Sequence, residues 1–201
     1  AFICCTEYEA AMDIKVSGCY IYPLKSGSGI SVDELELTQR GPNDDRLWML
    51  VHDQGPNEGR FITQRDRGCG KIALVEAIPN GDGDIYFSTP DGRKLVVVEN
   101  DLSCYDGVVQ VWGDVCTVMD AGNVAAQWFS EYLMLPCRLV RLPDGFIRLT
   151  DGNYSRPGDN VSFADGFPLL VTNLASLGKL RSRRIAAPLS HCGRGLAHPE
   201  P

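Results

Sequence analysis

The sequence predicts a mainly β protein with a few helices, of the α+β class. Three observations carry this. Short apolar or alternating runs separated by turn residues recur from about residue 15, one run is apolar at every position, and one segment repeats apolar residues at three- and four-residue steps. Residues 30–38 start in alternation at Ile30 and Val32 and change phase at Leu35 and Leu37, predicting a strand with a bulge near Asp33-Glu34. Leu47-Trp48-Met49-Leu50-Val51 predicts a strand buried on both faces. Residues 84–88 and 94–98 flank Thr89-Pro90-Asp91-Gly92-Arg93 and predict a hairpin, and residues 108–112 pair with 115–119 around Gly113-Asp114 in a second one. Asp120 is placed as an N-cap for a helix whose apolar face is Val124, Ala125, Trp128, Tyr132 and Leu135, broadened by Leu133 and Met134.

Strand character returns at residues 138–142, after which residues 143–160, rich in Gly, Pro, Asp and Asn, predict a long loop or linker. A further unit opens at Phe163, continues through Leu169-Leu170-Val171 and enters a short helix capped by Thr172 or Asn173. Beyond Leu180 the periodicity is lost. The expected organisation is a poorly patterned extension over 1–14, with Met12 read as a natural start, a first domain over 15–142, a linker over 143–160, the start of a second domain over 161–180, and an irregular basic tail over 181–201.

With 44% hydrophobic and 22% charged residues in 201, the composition supports a real core and excludes disorder as the main state. No apolar run approaches the roughly 18–20 residues that cross a bilayer, so no membrane association is expected. The net charge is −7, and the 14 basic and 25 acidic residues before Lys179 give −11. A body that acidic is not expected to bind nucleic acid, which needs a basic surface to displace counterions. The basic stretch from Lys179 onward is an anion-binding patch or, the commoner case, a solvated terminus. The eight cysteines form no C-x-x-C pair, and Cys116 and Cys137 sit in strand-like runs, so reduced thiols and a cytoplasmic protein are expected, with no metal-ligand spacing. His191 beside Cys192 is too isolated to make a site.

Three clusters carry anion-holding chemistry, each with a plainer structural reading. Lys25 and Ser26, with Gly27 and Gly29, offer a cation, a hydroxyl and backbone N–H groups, or simply a surface turn. Arg46 opens the most buried strand, where its guanidinium can reach a planar or phosphorylated ligand while Asp45 orients it, or form a loop ion pair. Thr172, Asn173 and Ser176 stand at a helix entrance, which serves an anion and ordinary capping equally. No catalytic Ser/His/Asp or Cys/His arrangement is present in the pattern.

The order of these segments says more than any one of them. Tyr20-Ile21-Tyr22-Pro23-Leu24-Lys25-Ser26 precedes Asp45-Arg46-Leu47-Trp48 and then Phe61-Ile62-Thr63-Gln64-Arg65. Val111-Trp112-Gly113-Asp114, Asp120-Ala121-Gly122 with its Trp-bearing helix, Cys137-Arg138-Leu139-Val140-Arg141-Leu142 and the 163–177 stretch follow. Together they resemble the MOSC family, in its branch with an N-terminal MOSC β-barrel domain. That branch includes the mitochondrial amidoxime-reducing component, bacterial proteins that detoxify N-hydroxylated bases, and the C-terminal region of molybdenum cofactor sulfurase. The resemblance implies an N-terminal β-barrel domain followed by the start of a MOSC domain. It also implies a molybdenum cofactor (molybdopterin) held between the two. In it Lys25 and Ser26 contact the phosphate or pterin, Arg46 holds the anionic end, and Thr172, Asn173 and Ser176 approach from the second domain. The implied reaction is reduction of N-hydroxylated compounds with an electron-donor protein.

The family's phenylalanine-arginine-proline-asparagine segment and its metal-ligating cysteine have no counterpart in the sequence. No catalytic residue or metal ligand is therefore assigned, little activity is expected of this chain alone, and its retention of the cofactor is not assumed. A pyridoxal phosphate label attached to such domains is read as inherited from fusion partners. The alternatives are a non-catalytic interaction module and a truncated or frameshifted product.

Overall fold

A computed structural model describes residues 2–5 and 15–186. The expectations for Met12, for Cys192 and for the end of the basic tail lie outside the described residues. The fold is mainly β, and the described sheets are separate and do not close into one ring.

β1 (Phe2–Cys5), β2 (Val16–Ile21) and β3 (Ile30–Val32) pair antiparallel. The bulge expected at Asp33-Glu34 is instead a break. Pairing with β2 ends at Val32, and β4 (Leu37–Thr38) turns back on β5 (Gly41–Pro42) in its own hairpin. The phase change in the apolar pattern marks a change of sheet.

β6 (Trp48–His52) ends the sheet it shares with later strands and is buried from Trp48 to Val51. Trp48 and Leu50 enter one core with Phe87, Phe129 and Leu139, whereas Met49 and Val51 enter a second with Phe61, Val109, Val140 and Phe163. Alternation along the strand thus feeds two cores, which is why every position of the run is apolar. Burying each such side chain is worth about 1.5–3 kcal/mol relative to exposure.

β7 (Glu76–Pro79), β8 (Ile85–Ser88) and β9 (Lys94–Val97) form a meander, and its second half is the first expected hairpin. Ala77, Ile85, Phe87, Leu95 and Val97 point into the first core. After β10 (Ser103–Cys104), β11 (Val109–Val111) and β12 (Asp114–Cys116) make the second hairpin. Its turn is Trp112-Gly113 and not Gly113-Asp114, because Val111 pairs with Asp114. Trp112 adopts φ 55° there, which leaves its indole at an exposed corner.

β13 (Met119–Asp120) leads into α1 (Gly122–Leu133), and Asp120 Oδ1 accepts from the Gly122 amide at 3.1 Å, so it caps from one position outside the N-cap residue, Ala121. The buried face is Ala125, Ala126, Phe129, Tyr132 and Leu133. Val124 is 76% exposed, and Met134 lies beyond the helix in the left-handed region at φ 57°. The face is turned from the expected one because Phe129 packs edge-on against Phe87, with ring centroids 5.2 Å apart. β14 (Cys137–Arg141) returns between β13 and β6.

Residues 143–169 contain no strand or helix, yet Val161, Phe163 and Ala164 are buried in the body and Phe163 belongs to its second core. β15 (Leu170–Asn173) pairs parallel with β1, and α2 (Leu174–Ala186) continues past Leu180. The lost apolar periodicity reflects a solvated helix rather than its end, with Leu180 and Arg181 both exposed.

Candidate functional site

The turn after β2 is stitched to the entrance of β6. The Lys25 amide donates to the Trp48 carbonyl at 2.7 Å, and the Arg46 amide to the Tyr22 carbonyl at 2.8 Å. The Phe163 amide donates to the Arg46 carbonyl at 3.0 Å, bringing the third segment to the same place. These backbone bonds place Lys25, Ser26 and Arg46 on one cleft of about 470 Å³, together with Thr63, Arg65, Trp112, Asp165 and Leu170. Ser26 at φ 69° and Arg46 at φ 52° both hold the left-handed conformation that non-glycine residues avoid.

Arg46 Nη1 donates to Asp45 Oδ2 at 2.6 Å and to the Pro168 carbonyl at 3.3 Å. Asp45 is itself fixed, accepting from the Tyr22 amide at 2.8 Å. Nε and Nη2 of Arg46 have no protein acceptor among the described residues, which leaves the outer part of the fork for a ligand. The glycines after Ser26 serve packing instead of an anion nest. The Gly27 amide donates to the Leu24 carbonyl and the Ser28 amide to the Val75 carbonyl, both at 2.9 Å. A side chain on Gly29 would collide with the Tyr22 ring at 2.7 Å.

Lys25 is only 5% exposed. Its ammonium donates to Asp165 Oδ1 and to the Phe163 carbonyl, each at 2.6 Å, and lies 5.2 Å from the Phe61 ring centroid. Burial pushes its pKa down, with Asp165 working against that shift. Asp165 also accepts from Trp112 Nε1 at 3.3 Å and sits 3.9 Å from Arg65 Nη2. Burial works to raise the Asp165 pKa, but the bond and charge of Lys25, helped by Trp112 and Arg65, hold it below the ordinary carboxylate value. A carboxyl with a depressed folded pKa contributes stability at pH values above its unfolded pKa and loses it as pH falls through the folded one. The urea-denaturation stability difference between the wild-type protein and Asp165→Asn should therefore stay constant from pH 7 to about 5 and close below about 4. A difference that widens on acidification would contradict the pairing.

Arg148, from the loop at residues 143–160, is the residue sequence reasoning missed. It is 6% exposed and donates to Asp114 Oδ2 at 2.7 Å and to the carbonyls of Ser162, Ala164 and Asp165 at 2.9, 2.6 and 3.3 Å. It fixes the backbone that presents Asp165. Arg148 sits between Ile147 and Leu149 in a loop otherwise rich in Gly, Asp and Asn, with no periodic pattern to mark it, so nothing local announced it.

Thr172, Asn173 and Ser176 are not among the residues lining the cleft. Asn173 Oδ1 accepts from the Ser176 amide at 2.9 Å, which makes Asn173 the cap of α2. Leu169 and Leu170, just before them, do line the cleft. Among the described residues no group of three His, Cys, Asp or Glu side chains is arranged to hold a metal, and no described cysteine borders the cleft. Cys116 and Cys137 are buried and unpaired, with the Cys137 thiol pushed up by burial to about 11, so it stays a neutral core group. No helix among the described residues is long and apolar enough to cross a membrane.

Against known families, residues 13–136 match the MOSC N-terminal beta barrel domain. The chain is 28% identical over 178 residues to mitochondrial amidoxime-reducing component 1 of Homo sapiens, covering 84% of this chain and 50% of that protein. To mitochondrial amidoxime reducing component 2 of Bos taurus it is 30% identical over 184 residues, covering 84% and 51%. To molybdenum cofactor sulfurase of Oryza sativa subsp. japonica it is 28% identical over 188 residues, covering 89% and 22%. The chain spans about half the length of the amidoxime-reducing components it matches.

Proposed function

The chain belongs to the MOSC N-terminal β-barrel domain family, and on that premise we propose that it forms part of a site for the molybdenum cofactor. Lys25, Ser26 and Arg46 grip the phosphorylated pterin. One observation carries this reading: Arg46 is braced by Asp45 and the Pro168 carbonyl through Nη1, with Nε and Nη2 left over among the described residues, beside Ser26, Arg65 and the Trp112 indole, around a cleft of ligand size. A guanidinium fork and an exposed indole suit a phosphate joined to a flat heterocycle.

Thr172, Asn173 and Ser176 stand at the corner where β15 enters α2, outside the cleft lining and with Asn173 engaged as the helix cap, so the proposed grip rests on Lys25, Ser26 and Arg46. The residues present fit the anionic and heterocyclic parts of the cofactor, whereas the described ones supply no soft ligand for the metal. When bound, the group supplies a metal centre for oxygen-atom transfer. The residues of this chain bind and orient it, and no proton or metal step is assigned to them.

The whole protein's reaction is proposed as reduction of N-hydroxylated compounds, fed by an electron-donor protein and placed in the cytoplasm on the strength of the unpaired thiols among the described residues. Equilibrium dialysis of the purified protein with molybdenum cofactor released from a carrier tests the binding. Arg46→Ala should weaken it about tenfold or more, the usual effect of removing a charged hydrogen-bond donor. Undiminished binding would sink the assignment. Benzamidoxime reduction with an artificial donor should remain near background for the purified protein, since no described residue supplies a soft metal ligand, and robust turnover would overturn that expectation.

A second reading, a non-catalytic interaction module, is favoured by β15, which lies at an open sheet edge with Leu170 48% and Val171 62% exposed. Behaviour as a monodisperse monomer with no hydrophobic-dye binding would count against it.

A further inference from the structure

We propose that Asp165 is the resting counter-ion of Lys25 and is exchanged for the phosphate of the ligand. It thereby sets the affinity threshold that an anion must exceed to occupy the cleft. The inference rests on the cleft being a phosphate site, as proposed above, and adds how that site is controlled.

Donors from three parts of the chain converge on this carboxylate. The Lys25 ammonium follows β2, the Arg65 guanidinium comes from the segment after Phe61, and the Trp112 indole from the corner between β11 and β12. Two hydrogen-bond donors and a guanidinium 3.9 Å away around one anion describe an anion site, and here the anion belongs to the chain. The Phe163 carbonyl accepts from the Lys25 ammonium but cancels no charge, and an ammonium this buried is costly without a counter-ion, because desolvation of an uncompensated charge is not recovered by one neutral hydrogen bond. The site therefore needs a carboxylate or phosphate at that point at all times, and Asp165 supplies it.

Asp165 is also built to leave. Its side chain is 58% exposed, so water can take over its charge, and it stands in a segment without helix or strand. The backbone stays in place during the exchange, because Arg148 holds the carbonyls of Ala164 and Asp165 and Phe163 is anchored in the core. Only the carboxylate has to swing out. A phosphate dianion brings a second charge that the outer donors of Arg46 and the exposed Arg65 can take up, which a singly charged anion does not offer. The apparent affinity of any anion is reduced by the fraction of molecules in which Asp165 holds Lys25.

The test uses the full chain and inorganic phosphate, followed by isothermal titration calorimetry. Asp165→Asn should bind phosphate about tenfold more tightly than wild type, and Lys25→Met should bind it weakly in either background. Equal or weaker binding by Asp165→Asn overturns the proposal. Should that variant fail to fold, the wild-type protein decides by carbon-13 NMR. At phosphate saturation the Asp165 carboxyl resonance should move to the position of a solvated carboxylate, and a resonance that stays put while phosphate binds overturns the proposal. Absence of phosphate binding in wild type and Asp165→Asn alike sinks both the phosphate site and this inference. Binding without any response from Asp165 sinks this inference alone.

Discussion

Replacing Arg148 with methionine should lower the unfolding free energy by about 3 kcal/mol, the scale for breaking a buried charged hydrogen-bond set. The wild-type guanidinium satisfies three main-chain carbonyls between Ser162 and Asp165 and one carboxylate on β12. Methionine fills a similar volume but donates nothing, so the Ser162 and Ala164 carbonyls lose their buried donor. Asp114 recovers water readily, since its side chain is 49% exposed, and contributes little to the loss. The damage should be local before it is global. Hydrogen exchange should speed up for the Phe163 amide, which bonds the Arg46 carbonyl, while amides of β6 and β14 keep their protection. A variant as stable as wild type in urea, with unchanged exchange at Phe163, would show that Arg148 is not the brace described.

The parts of this molecule that were legible in the sequence are those where local pattern and tertiary demand agree. The Leu47–Val51 run announced a strand buried on both faces because two cores require it, and the turn residues at 89–93 announced their hairpin. The candidate residues Lys25, Ser26 and Arg46 were grouped by the order of the segments and the structure brings all three to one cleft, whereas Thr172, Asn173 and Ser176 of the same set stay outside its lining. What stayed hidden depends on contacts between distant segments. The partner of Lys25 lies 140 residues away at Asp165, and the brace for that partner lies in a loop with no periodic signal. The glycines after Ser26 suggested exposed amides for an anion, but the turn itself takes the Gly27 amide for the Leu24 carbonyl and tertiary packing takes the Ser28 amide for the Val75 carbonyl. The break after Val32 was read as a bulge because a phase shift in apolar residues has the same appearance in both cases, and only the partner strand distinguishes them.

On α1 pattern and packing agree in part. Of the expected face, Ala125, Tyr132 and Leu133 are buried and Trp128 and Leu135 pack against the core, but the pattern left out Phe129, which is completely buried, and included Val124, which is 76% exposed. Phe129→Ala should cost about 3–5 kcal/mol, the range for removing a buried aromatic ring, because the lost transfer free energy and the cavity penalty add. Phe129 also makes edge-on contacts with Phe87 at 5.2 Å and Trp128 at 4.7 Å, and each such pair is worth about 0.5–1.5 kcal/mol beyond area. Val124→Ala on the exposed face should change stability by less than about 0.5 kcal/mol, since alanine regains in helix propensity what little contact is lost. Urea denaturation of the two variants should show a large fall in midpoint for Phe129→Ala at an unchanged slope, and almost none for Val124→Ala. The opposite ranking would mean that the helix is rotated from its described position toward the face that the sequence steps select. The packing of α1 against β14 and the meander would then have to be redrawn. Phe129 is decisive because one ring joins the helix to β8 through Phe87, and Trp48 of β6 packs on that same Phe87 ring at 6.2 Å. Removing it should loosen the strand whose entrance holds Arg46, so cofactor binding should weaken in Phe129→Ala and remain at the wild-type value in Val124→Ala.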